Sequence, residues 1–170
     1  AHADAHVVLI SLDGFPAYLW RDETLALPHL RQLAAGGVVA NAMTIVNPSI
    51  TWPNHTSLVT GVTPQKHGVL YNGYVTRQGP GKPIKNEQWA DKKILVRVPT
   101  VYDAAFQAGL TTAEVDWVAI TRPGTITWSF AEIVDPTAVL PREMVAAGVA
   151  TEKEILAVAA KKPVVGTKVE

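Results

Sequence analysis

The 170-residue chain has no cysteine. Disulfides and thiolate metal sites are therefore excluded, and any metal must be held by oxygen and imidazole ligands. Neither sign of charge is in excess: fifteen Lys and Arg balance fifteen Asp and Glu. Binding along a phosphate backbone needs a surplus of basic residues, so duplex nucleic acid is not an expected partner. No apolar run reaches the roughly 20 residues that cross a bilayer, so no membrane span is expected. Imidazole is scarce as well: there are five histidines and none after His67. What is present is a composition of 48% apolar and 18% charged residues, which fits a globular chain rather than a disordered one. The length suffices for one domain with a core.

The N-terminus reads "AHADAHVVLI". Ala1-His2-Ala3 has the small-x-small pattern left by signal cleavage, so residues 1–5 are expected to be a processing remnant or disordered. That points to a periplasmic or secreted protein. "HVVLISLDG" is a continuous apolar run closed by Asp-Gly, as in a strand buried on both faces of a parallel sheet. "LPHLRQLAAGG" predicts a helix, with Pro28 in its first turn and Gly36-Gly37 at its stop. "VVANAMTIV" reads as a second strand, which completes a βαβ unit.

A further helix is predicted to begin near Thr51, with Thr51 as N-cap and Pro53 in the first turn. Residues 73–98 carry glycines, prolines and lysines with little periodicity, and read as an excursion over the surface. "PTVYDAAFQAGL" predicts an amphipathic helix between Pro99 and Gly109, and "TTAEVDWVAI" a third strand. "PREMVAAG" and "TEKEILAVAAKK" predict two more helices, the second opened by a Thr151/Glu154 capping box. The alternation makes this an α/β domain whose ligands are expected at the strands' carboxyl ends. That rule selects Asp13, Thr51 and the Asp116-Trp117 pair.

Each residue has two readings. Asp13 is either an ordinary Asp-Gly turn or a hard-oxygen metal ligand. Thr51 is either a cap or a nucleophile. A hydroxyl is inert at neutral pH unless its proton is removed, and neither metal coordination nor a helix N-terminus is out of reach there. Asn72, in "HGVLYNGY", is either a tight-turn residue or an amide donor to an anionic oxygen. His55 and His67 are ligands by type, but neither has a second histidine at ligand spacing. Supporting or structural roles suit them better.

Together these residues fit a known pattern. "VVLISLDGF", "PHLRQLAAGGVVA" and "NPSITWPNHTSLVTGVTPQKHGVLYN" resemble the type I phosphodiesterase/nucleotide pyrophosphatases of the alkaline phosphatase superfamily. The resemblance is specific over residues 6–73 and continues more loosely through "GTITWSF". It implies an alkaline phosphatase-like, mostly parallel sheet flanked by helices, and two-zinc hydrolysis of phosphodiester or pyrophosphate bonds in small-molecule or nucleotide substrates. Asp13 matches the family's metal aspartate. Thr51 matches the nucleophile that forms a phosphothreonine and also touches metal. Asn72 lies 21 residues after Thr51, as the family's phosphoryl-binding asparagine does. Trp52 stands where the family has an aromatic near the substrate's base, and Trp117 is a weaker candidate for the same contact. A lysine common just before the threonine is replaced here by Ile50, which weakens a nucleotide assignment in particular.

The family's remaining metal ligands, an Asp-x-x-x-His segment, an Asp-His pair and a later His, have no counterpart in the chain. Asp13 and Thr51 alone cannot fill a tetrahedral zinc site. The reading placed first is that residues 1–170 are the N-terminal part of a single catalytic domain, C-terminally incomplete and inactive alone. "PVVGTKVE" trails off where a sheet is expected to continue. A degenerate binding paralogue and a site completed by a second polypeptide stay open. So do phosphomonoester and phosphonate hydrolysis within the same superfamily.

Overall fold

The computed structural model describes residues 5–87, 89–130 and 139–160. Residues 1–4 of the expected remnant 1–5 and the tail "PVVGTKVE" lie outside the described residues. The described residues form a mixed helix and strand fold with one small parallel sheet. The chain divides into two compact units, Ala1–Ile45 and Val46–Glu170.

In the first unit, helices α1 (Ala17–Arg21) and α2 (Pro28–Ala35) are joined through Asp22. The Asp22 carboxylate accepts from the backbone N–H and the hydroxyl of Thr24, at 2.9 and 2.6 Å. Arg31 of α2 donates to the Asp22 carbonyl at 2.9 Å and lies over the Trp20 ring. Proline at the start of α2 needs no hydrogen bond for the N–H it lacks, which is why the helix begins there as expected. The two strands expected around α2 are not formed: residues 6–13 and 38–46 are without regular structure. A strand requires a neighbour for its N–H and C=O groups, and the described residues of this unit supply none. Val7 and Val38 are accordingly 97% and 102% exposed. The expected βαβ unit is reduced to its helix, and Asp13 follows an unpaired segment rather than a strand.

The second unit opens with α3 (Thr51–Thr60) and α4 (Pro64–His67). Thr51 is the first helical residue and not the cap, a role taken by the extended backbone of Ile50. The side chain that shapes this entry is Asn54. Its amide nitrogen donates to the carbonyls of Ile50 and Pro48, at 2.9 and 3.1 Å, and its oxygen accepts from Val46 N–H at 2.9 Å. The helix stops at Gly61, whose φ of 68° belongs to the left-handed region that glycine adopts without a Cβ clash.

Residues 73–98 hold more order than the surface excursion expected of them. Strands β1 (Tyr74–Thr76) and β2 (Lys85–Glu87) form an antiparallel hairpin in the register Tyr74↔Glu87, and α5 (Lys92–Leu95) follows. Three-residue strands are too short for a period of two to show in a sequence. Helix α6 (Val101–Gln107) carries a complete capping box, in which the Thr100 hydroxyl accepts from Asp103 N–H and the Asp103 carboxylate accepts from Thr100 N–H. The third expected strand is β3 (Ala113–Val115), shorter than predicted, and it pairs in parallel with β4 (Trp128–Phe130). Helices α7 (Val139–Ala146) and α8 (Glu152–Ala159) come next, the latter behind the expected Thr151/Glu154 box.

The core of this unit gathers Trp52, Val69, Ala90, Leu95, Val96 and Ala119. Beside it, Lys92 of α5 forms a buried ion pair with Asp103 of α6, and Thr125 donates to the same carboxylate. Burial opposes ionisation of Asp103, but hydrogen bonds from Lys92, Thr125 and Thr100 outweigh it and hold the pKa at about 2.

Candidate functional site

The start of α3 brings together three of the residues singled out in the sequence, Thr51, Trp52 and Asn72. Thr51 and Trp52 are its first two residues. The Trp52 backbone N–H donates to Asn72 Oδ1 at 2.9 Å. The first N–H groups of a helix have no intrahelical acceptor, so a side-chain oxygen brought to them is stabilising. The contact also fixes the orientation of the Asn72 amide. An N–H faces its oxygen, so Nδ2 is the end that can donate elsewhere. Asn72 is half-buried, and Asn86 of β2 donates to its backbone carbonyl at 3.2 Å. Gly73 makes this approach possible: a Cβ there would lie 2.1 Å from Asn86 Oδ1, and its φ is +131°.

Trp52 belongs to the core. It is 5% exposed and tilted against Trp89, with ring centroids 6.2 Å apart. The packing role is where the structure places it, since so little of its ring is left for a substrate. Trp117 is half-buried and reaches α3 through a different residue. It meets the His55 ring edge to face, with centroids 5.2 Å apart and an interplanar angle of 75°. His55 Nδ1 donates to the Thr51 carbonyl at 2.8 Å.

Glu114 was not visible to sequence reasoning as a participant. Its carboxylate accepts from Trp117 N–H at 3.1 Å and from the Ser129 hydroxyl of β4. Burial pushes its carboxyl above the usual range, against the opposing pull of those hydrogen bonds. The one signal in the sequence is an acidic residue set between Ala113 and Val115, on a strand where carboxylates are disfavoured.

Asp13 belongs to the first unit, where it is exposed and sits in a turn. Gly14, with φ of 64°, donates its N–H to Asp13 Oδ1 at 3.1 Å. His67 is structural: it is 0% exposed and both ring nitrogens are engaged. Nδ1 accepts from Val69 N–H at 3.1 Å, so Nε2 carries the proton and donates to Ser57 Oγ at 3.0 Å. A ring held in that tautomer cannot take the Ser57 proton, so the pair is not a nucleophile with its base. Burial lowers the His67 pKa and keeps the ring neutral. Among the described residues, no group of three or more His, Asp or Glu side chains is placed to hold a metal ion. The donor set described here does not by itself fit a two-zinc centre.

Comparison with known proteins places this geometry in context. Residues 7–155 match the model of the family described as Type I phosphodiesterase / nucleotide pyrophosphatase. An uncharacterized pyrophosphatase/phosphodiesterase of Schizosaccharomyces pombe is 45% identical over 69 residues, covering 40% of this chain and 14% of that protein. Human ectonucleotide pyrophosphatase/phosphodiesterase family member 5 is 30% identical over 127 residues, covering 70% of this chain and 24% of its own length. A venom phosphodiesterase of Macrovipera lebetinus is 39% identical over 67 residues, covering 39% of this chain and 8% of that protein. The matched stretch is thus a minor part of each relative. No solved structure matches the chain. With nearly all of its described length inside the family's match, the chain belongs to the type I phosphodiesterase/nucleotide pyrophosphatase family.

Proposed function

We propose that the protein carrying this chain hydrolyses phosphodiester or pyrophosphate bonds of small molecules, nucleotides among them, with Thr51 as nucleophile. The observation that carries the reading is the hydrogen bond from Trp52 N–H to Asn72 Oδ1, which holds the Asn72 amide beside the residue at which α3 begins. In this mechanism Thr51 Oγ1 forms a bond to phosphorus while the bond to the leaving oxygen breaks. Water then cleaves the resulting phosphothreonine. Negative charge that builds on the phosphoryl oxygens is met by Asn72 Nδ2 and by the positive end of α3. Asp13 is proposed as a metal carboxylate from its match to the family pattern. Two zinc ions are what that pattern implies. The relatives' names support the substrate class, and one of them is a venom enzyme. Export of this protein is proposed on that basis. Among the described residues, no helix is long and apolar enough to cross a membrane.

The test uses the protein as its own gene encodes it, assayed on p-nitrophenyl phosphodiesters. Thr51→Ala is expected to remove nearly all turnover and Thr51→Ser to retain a measurable part. Phosphate trapped on residue 51 in acid-quenched samples is the direct signature, read by mass spectrometry. Undiminished turnover in Thr51→Ala refutes the covalent route.

A further inference from the structure

Two observations at the site are not absorbed by that mechanism: a buried carboxylate on β3, and an aromatic contact between Trp117 and His55 of α3. They are connected. Glu114 Oε2 accepts from Trp117 N–H at 3.1 Å, while Oε1 accepts from Ser129 of the neighbouring strand. Between Glu114 and Trp117 the chain turns through Asp116 at φ 57°, a region that non-glycine residues enter at a cost. The carboxylate–amide bond closes this turn and offsets that cost. The turn delivers the Trp117 ring to His55, and the His55 ring to the Thr51 carbonyl at 2.8 Å.

We propose that Glu114 is a positioning residue for Thr51, acting through Trp117 and His55. The proposal rests on the reading of Thr51 as the nucleophile, but its links are physical contacts that are measured without turnover. Thr51 is the first residue of α3, so its placement is set at the N-terminal end of that helix. The His55 bond is a local tie on that residue's carbonyl. His55 can hold it only while its ring keeps one orientation, and the edge-to-face contact with Trp117 restricts that orientation. Glu114 keeps Trp117 in place from a strand that is itself paired in parallel, in the register Glu114↔Ser129. The anchor is therefore the sheet, and the positioned group is a helix start.

The test reads the His55 side chain in residues 1–170 by proton–carbon correlation spectroscopy at pH 7, assigned with His55→Gln. Trp117→Leu removes the ring current and defines the full displacement of the His55 resonances. Glu114→Ala is expected to displace them in the same direction, by at least about half as much. Glu114→Gln is expected to leave them in place, because its oxygen still accepts from Trp117 N–H and its nitrogen donates to Ser129. The buried His67 resonances report folding in each variant. Should Glu114→Ala fail to fold, Glu114→Asp decides. It keeps the charge but withdraws it by one carbon–carbon bond, so the same displacement is expected. His55 resonances that stay at their wild-type positions in whichever of these variants folds overturn the proposal.

A kinetic arm uses the gene-encoded protein. There Glu114→Ala should lower kcat by about 10–10²-fold with KM within about twofold, and Glu114→Gln should restore most of it. Full turnover in Thr51→Ala would sink the nucleophile and leave the spectroscopic result standing. Normal kcat in Glu114→Ala beside an inactive Thr51→Ala would overturn the positioning role alone.

Discussion

Replacing Asp103 by alanine tests how the frame around α3 is held. The Asp103 carboxylate is buried and joins three segments: α5 through Lys92, the start of α6 through Thr100 N–H at 2.8 Å, and the 121–127 loop through Thr125. Its pKa is held at about 2, against 3.8 for an ordinary aspartate. The difference corresponds to about 2 kcal/mol favouring the folded state at neutral pH, at roughly 1.4 kcal/mol per unit. Alanine removes that contribution and leaves the Lys92 ammonium buried without its counter-ion. Breaking a buried pair from one side costs about 3–5 kcal/mol, so the larger figure is the expectation for Asp103→Ala. Asp103→Asn preserves shape but turns an amide toward Lys92, and about 2 kcal/mol is expected there.

The sign of the pH dependence follows from the lowered folded pKa. The carboxylate's contribution is fully present above the unfolded value near 3.8 and is lost as the pH falls through about 2. Urea unfolding followed by tryptophan fluorescence is suitable, since Trp52 and Trp89 lie in and against the core. Wild type should exceed Asp103→Asn by a constant margin from pH 7 to about pH 5, and the margin should shrink steadily towards pH 2. A margin below about 1 kcal/mol at pH 7, or one that does not change between pH 5 and pH 2, would refute the account of this network.

Asn72→Ala is expected to lower kcat of the gene-encoded protein by about 10²–10³-fold, the usual loss of one oxyanion donor, and to cost about 1 kcal/mol in the urea assay because the Trp52 N–H loses its acceptor. A variant that unfolds while its folded fraction turns over normally would return Asn72 to a turn role. Gly73→Ala places a methyl 2.1 Å from Asn86 Oδ1 at a φ of +131°, and a loss on the order of 1–3 kcal/mol is expected in the same urea assay. Residues 1–170 supplied with excess zinc are expected to give only background hydrolysis of p-nitrophenyl diesters and monoesters, because the sequence has no imidazole after His67 to add to Asp13 and Thr51. Zinc-dependent turnover that disappears in Thr51→Ala would show that this ligand count is wrong.

What was legible in the sequence is what is decided locally. Pro28, the Thr151/Glu154 box and the glycine stops act within one turn of their own helices, and those helices stand where expected. Strands are decided by neighbours. The run at 6–13 has the composition of a buried strand, yet composition cannot supply the ladder that would make it one. The hairpin at 74–87 shows the converse: pairing with few residues and no pattern is enough to order a segment that reads as loop.

The site divides along the same line. That Asn72 lies beside the start of α3 was legible because a family pattern fixes its spacing from Thr51, and the Trp52 N–H bond to Asn72 gives that spacing a physical content. The aromatic at position 52 was legible as a residue but not as a role, since only the packed core decides which way its ring is used. Glu114 was illegible because each half of its function lies elsewhere: one acceptor oxygen serves Ser129, fifteen residues on, and the other serves a turn that bends through Asp116. A residue that acts by holding other residues leaves no motif of its own. It becomes visible only once the register Glu114↔Ser129 and the contact from Trp117 to His55 are both known.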